Sequence, residues 1–283
     1  MMAVALASFK EAVRKKLILL IGFLTLVYII ILSLITYFGY NSLKSNHVTS
    51  EILASNASLI VSFLGFYFSS MIVALLTIMA SLGAVSSEIE NGAIQSIITK
   101  PVKRSHYILG KYLGLAALVT AYSIFLYITI FIIDYAVGVP PLDKPHIPIL
   151  LKGLLLFILE PLSILSLCIF GSTTFKTLNN GIIVISIYIL GTIGTMLEQI
   201  GSSLGIDNMV QGGILISLIS PFEAVYRKLI EVIFSSSDIS FFFTSPLFIS
   251  GSMPSNWMIL YVIIYLVVLL MLSIRKFNRK DIS

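Results

Sequence analysis

The chain reads as an all-α polytopic membrane protein with six transmembrane helices, and three observations carry that reading. Of its 283 residues, 58% are hydrophobic and 11% charged, where a soluble domain carries about 25% charged residues. Its mean hydropathy is +1.03. The apolar residues also fall in long runs, at 17–39, 59–83, 113–137, 149–171, 181–197 and 257–274. About 20 such residues cross the hydrocarbon core as a helix. Lipid satisfies no backbone amide, so the runs must be helical, and the short alternating segments of a barrel are missing. The third observation is charge placement. Thirteen of the 18 lysines and arginines lie in 1–16, 84–112, 172–180 and 275–283. That bias puts both termini in the cytoplasm, with the chain multi-pass in the cell membrane. The whole of 1–283 is one membrane domain.

Residues 1–16 predict an interfacial helix. Val4, Leu6, Phe9 and Val13 supply an apolar side, and Lys10, Arg14, Lys15 and Lys16 reach towards headgroups. The first span begins behind this basic flank and runs to about Gly39 without a cleavage site, so it is retained rather than removed. Residues 40–58 form a polar loop with the sequon Asn56-Ala57-Ser58. Four prolines in 138–148 exclude a helix interior there. The fourth span contains Glu160-Pro161, which predicts a kink, and 172–180 reads as a tight polar turn.

Residues 198–256 are apolar but broken by prolines, and predict re-entrant or interfacial helices on the external side. Arg227 and Lys228 in this stretch dissent from the charge bias. Trp257 opens the last span at an interface. Cys168 is the single cysteine, so it forms no intrachain disulfide. His47, His106 and His146 fall in three segments and read as loop residues, with no metal set.

The chemistry concentrates between the second and third spans. Residues 84–112 read AVSSEIENGAIQSIITKPVKRSHYILGKY. Ser86-Ser87-Glu88 can cap a short helix, which Asn91-Gly92 then turns. Pro101 suits the first position of a second helix. The resulting elbow is acidic at Glu88 and Glu90 and basic at Lys100, Lys103 and Arg104, with Ile94, Ile97 and Ile98 between. Mixed charge around a small apolar centre suits a protein partner; a solvated loop that only enforces orientation is the plain alternative.

This segment resembles the signature of ABC-2 type transporter permeases. There, a Glu–Gly pair is followed by a Pro, a basic residue and a Gly-Lys entering the third span. The matching residues are Glu88, Glu90, Gly92, Pro101, Arg104, Gly110 and Lys111. The resemblance implies a cytoplasmic coupling segment against a separate ABC ATPase subunit. It also implies two permease copies with two ATPases, and no cofactor in this chain, with ATP and magnesium on the partner. In agreement, the chain has no GxxxxGK[ST] segment to cradle phosphates. Membrane lipid is the remaining expected contact, and nucleic acid is not expected.

Asp134, Glu160 and Glu198 lie in or near spans, where a carboxylate is costly unless it meets a cavity or partner. Glu160 with Pro161 reads either as a cavity or gating position or as a packing hydrogen bond beside a kink. Asp134 and Glu198 read as interfacial. No basic residue is expected at span depth, so no proton relay follows. Tyr28, Tyr37, Phe63, Phe66, Tyr67, Phe68, Tyr122, Phe125 and Tyr127 form an aromatic set that lines a substrate path or packs the core. Gly181, Gly191 and Gly194 allow close helix approach, and the resemblance assigns that region to the contact between permease copies.

The expected function is an ATP-driven permease subunit, an exporter working by alternating access. An ion-coupled carrier or channel, or a non-transporting anchor governed by an ATPase, are the other readings. A membrane enzyme is disfavoured, because no HExxH, paired-Asp or Ser–His arrangement is present.

Overall fold

A computed structural model describes residues 1–14, 16–44, 50–93, 103–137, 147–234 and 254–280. Every regular element among them is a helix. In order they are α1 (Met2–Arg14), α2 (Lys16–Lys44), α3 (Ser50–Ser81), α4 (Ser86–Glu90) and α5 (Arg104–Val137). Then come α6 (Ile147–Thr174), α7 (Thr177–Leu204), α8 (Asp207–Ile219), α9 (Phe222–Ile233) and α10 (Asn256–Asn278). Six of these, α2, α3, α5, α6, α7 and α10, are long and apolar enough to cross a membrane.

The helices run past the apolar sequence that implies them. α5 begins at Arg104, so the basic entry to the third span is already helical. His106 therefore lies on a helix and not in a loop; His47 and His146 fall outside the described residues. The turn expected over 172–180 shrinks to Phe175 and Lys176, because α6 and α7 extend into it from both sides. α6 continues through Pro161 without a break.

α6 is the central helix, in contact with α3, α4, α5, α7, α9 and α10. Its neighbours close an aromatic core. Phe66 is fully buried, with the rings of Tyr127, Phe131, Phe157 and Phe234 at centroid distances of 5.7, 5.7, 6.4 and 6.5 Å. Phe66 and Tyr127 of the aromatic set thus pack the interior, whereas Tyr37, Phe68 and Phe125 point outwards. Asn180 ties three spans together: its amide donates to the carbonyls of Leu82 at 2.9 Å and Cys168 at 3.1 Å.

α8 and α9 form a hairpin bent by 104°. Their 13 and 12 residues give lengths of about 20 and 18 Å, short of the roughly 30 Å core, so neither crosses alone. α8 runs back along α7. Side chains at Gly181, Gly191 and Gly194 would meet Leu82, Ser220 and Ile216 of the same chain. The close approach that these glycines allow is therefore spent within one protomer. Breaking a helix in an apolar setting frees carbonyls that need donors. The Tyr261 hydroxyl of α10 donates to Leu218 O at 2.6 Å and Tyr265 to Ile219 O at 3.4 Å.

Candidate coupling site

One end of the bundle, here the basal end, gathers α1, α4, the start of α5, the α6–α7 junction and the end of α10. α4 is held there by its backbone. Val85 N and Ser86 N, its first free amides, both donate to Ser172 Oγ of α6 at 2.9 Å. The sequence predicts capping by the serines of α4 itself, but no side chain caps it locally. The accepting oxygen comes from a residue 86 positions away, on another helix. Ser86 Oγ also lies 2.8 Å from Thr177 Oγ1.

The expected site residues then take distinct places. Glu88 accepts hydrogen bonds from Tyr107 and from Lys111, both on α5. The Lys111 ammonium also meets Glu11 of α1 at 3.1 Å, and Lys111 is 4% exposed. Glu88, Lys111, Tyr107 and Glu11 thus form one network joining α1, α4 and α5. Glu90 is exposed, and its carboxylate accepts from Thr177 N at 2.7 Å. A carboxylate on the first amides of a helix is favoured by the helix dipole, so Glu90 caps α7.

Arg104 does the converse. Its Nη1 donates to the carbonyls of Phe277, Asn278 and Lys280 at 3.4, 3.2 and 2.9 Å. A guanidinium at a helix C-terminus meets both the dipole and the carbonyls left without partners. Tyr107 stacks on Phe277 at 5.5 Å, and Lys280 Nζ donates to Thr173 O at 3.2 Å. α10 is therefore fastened to α5 and α6 at its last turn.

Gly110 lies under α1. A Cβ there would sit 2.8 Å from Val4 Cβ and 3.0 Å from the Met1 carbonyl oxygen. Only a glycine lets α1 approach so closely. α1 buries Ser8 and Ala12 and leaves Leu6, Phe9, Val13, Lys10 and Arg14 exposed. That pattern suits a helix lying at an interface. Gly92 ends α4 with φ +70°, a conformation that favours glycine. Asn91, Gly92 and Ala93 are exposed. Pro101, Lys100, Ile94, Ile97 and Ile98 lie outside the described residues.

Glu160 and Pro161 stand apart from this end, about 18 Å along α6 from Ser172. Both are buried. The Ser70 hydroxyl donates to the Glu160 carboxylate, 2.7 Å from each oxygen. Glu198 has a basic partner that the sequence alone does not suggest. Glu198 is 1% exposed, and Arg227 Nη2 donates to it at 2.9 Å. The reason is the α8–α9 return, which carries Arg227 back against α7. Asp134 accepts from Ser62 at 2.8 Å, tying α5 to α3.

The fold and the basal network define a polytopic helical membrane protein whose polar chemistry lies at one end and at one buried cluster. Among the described residues no group of histidine, cysteine or carboxylate side chains is set to hold a metal. The family model described as "ABC-2 family transporter protein" matches residues 2–282, and the chain belongs to that family. No curated protein matches the chain. The family makes it an ABC transporter permease, a transport component rather than a catalyst.

Proposed function

We propose that this chain is the membrane subunit of an ATP-driven exporter, coupled at its basal end to a separate ATPase and working by alternating access. Two permease copies with two ATPases form the unit, in the cell membrane, with the basal end in the cytoplasm. The observation that carries this reading is the fastening of α4. Its start is bonded to Ser172 of α6, its middle to Tyr107 and Lys111 of α5, and its end to Thr177 of α7. A force on the exposed turn at Asn91–Ala93 therefore enters three spans at once. Lys111 carries it on to α1 through Glu11.

Two roles follow for the signature residues. Glu88, Arg104, Gly110 and Lys111 transmit force inside the chain, and Glu90, Gly92 and the chain beyond, with Pro101, meet the ATPase. Glu160 and Pro161 serve access to the path, where Glu160 holds Ser70 of α3.

The test is isolation of the tagged chain from its native membranes. A nucleotide-hydrolysing subunit should be recovered in equal number and cross-link through a cysteine placed at Asn91. Charge reversal at Glu88 should leave hydrolysis running while transport falls at least tenfold. Isolation without such a subunit, or transport unchanged by the reversal, overturns the reading.

A further inference from the structure

A cavity of about 230 Å³ lies between α3, α7 and α9. Phe63, Tyr67 and Tyr226 give it aromatic walls, and Thr195, Glu223 and Arg227 give it polar ones. Phe63 and Tyr226 meet edge-on at 6.2 Å, and Tyr67 and Tyr226 at 5.6 Å. Met196, which is exposed, stands at the rim on α7.

One polar group in the lining has no hydrogen-bond partner among the described residues, and a second meets only a neighbouring charge, that of Arg227. Thr195 is 7% exposed and its hydroxyl, buried, makes no hydrogen bond among the described residues. Glu223 is also 7% exposed, and among the described residues its carboxylate accepts no hydrogen bond. A buried hydroxyl left unpaired is destabilising, and a buried carboxylate without hydrogen bonds more so. Glu223 has Glu160 and Arg227 as its charged neighbours, and Glu198 also holds Arg227 at 2.9 Å. Glu198 and Glu223 thus share one guanidinium in an apolar setting, where an uncompensated charge is costly.

We infer that this cavity binds a small organic cation, an ammonium-bearing amphiphile, with its charged head between Glu223 and the rings of Phe63, Tyr67 and Tyr226. Aromatic faces attract a desolvated ammonium, and the carboxylate supplies the counter-charge. The Thr195 hydroxyl meets a polar atom of the head, and an apolar tail leaves past Met196. As a statement about cargo the inference rests on the permease reading; as a statement about binding it does not.

The test uses the full chain in a non-ionic detergent, without any ATPase. Benzyltrimethylammonium is the probe, and neopentylbenzene, of the same shape without the charge, is the control; binding is followed by native mass spectrometry and thermal shift. Saturable binding of the ammonium, at least tenfold tighter than the control, is expected. Glu223→Gln should weaken it tenfold or more and Tyr67→Leu threefold or more, while Glu231→Gln, on the same helix, leaves it unchanged. Should Glu223→Gln not fold, Thr195→Val and Tyr67→Leu decide the matter, each weakening binding at least threefold. Equal binding of the neutral control, or ammonium binding indifferent to these variants, overturns the inference and leaves the permease reading standing.

Discussion

The Lys111 ammonium sits against the Glu88 carboxylate, with 6% of the lysine side chain and 17% of the glutamate side chain exposed. The second carboxylate, Glu11, is 48% exposed. Removing one member of a buried pair costs about 3–5 kcal/mol, against at most about 1 for an exposed pair. Lys111→Met should therefore lose about 3 kcal/mol in equilibrium unfolding, and Glu11→Gln less than 1. The double variant Glu88→Gln, Lys111→Met should recover part of the loss.

Arg104 closes the last turn of α10 through three carbonyls. Arg104→Gln removes the charge at that terminus and should cost about 1 kcal/mol. Hydrogen exchange at 276–280 should rise, with the rest of α10 unaffected.

Gly110 brings α1 within contact of α5. Gly110→Val would overlap Val4, a crowding that costs about 1–3 kcal/mol. Limited proteolysis within α1 should become several times faster, while the span helices keep their circular dichroism.

Arg227 and Glu198 form the pair inside the bundle, at 2.9 Å. Glu198→Gln alone should destabilise the chain by about 2 kcal/mol, because a buried guanidinium loses a charge-assisted hydrogen bond. The double variant Glu198→Leu, Arg227→Met should be more stable than either single variant in the same unfolding assay.

Tyr261 supplies a donor to the Leu218 carbonyl at the break between α8 and α9. Tyr261→Phe should cost about 1 kcal/mol, the net worth of one such bond. Exchange at the Ser220 amide should be faster as the turn loosens.

The spans were legible because lipid imposes one rule on every apolar run of sufficient length. The bent pair was legible for a related reason, since runs such as 214–219 are too short to cross. What the sequence could not show was pairing at a distance. Lys111 and Glu88 are 23 residues apart and Arg227 and Glu198 are 29, far beyond the three- or four-residue spacing that a helix makes visible. Arg227 and Lys228 looked like dissenting loop charges because the count treats every cation as free. In the fold Arg227 holds Glu198, and Lys228 Nζ lies 2.9 Å from Glu231. A weak signal was present: three carboxylates in apolar sequence require a counter-charge, and Arg227 was among the cations left outside the charge bias. Of the residues picked out between the second and third spans, Glu88, Glu90, Arg104 and Lys111 bond to other helices and Gly92 lies in an exposed turn. Their division into internal links and an exposed turn needed the positions of α1, α7 and α10.

Cys168 is the one native thiol and lies 1% exposed inside α6. Maleimide reagents should leave it untouched while the protein is folded. Wild-type sequence is thus already a blank background for site-directed labelling. Single reporters at Asn91 and Ile206 can be titrated from either face of a sealed vesicle, with no prior mutagenesis to remove interfering sulfur.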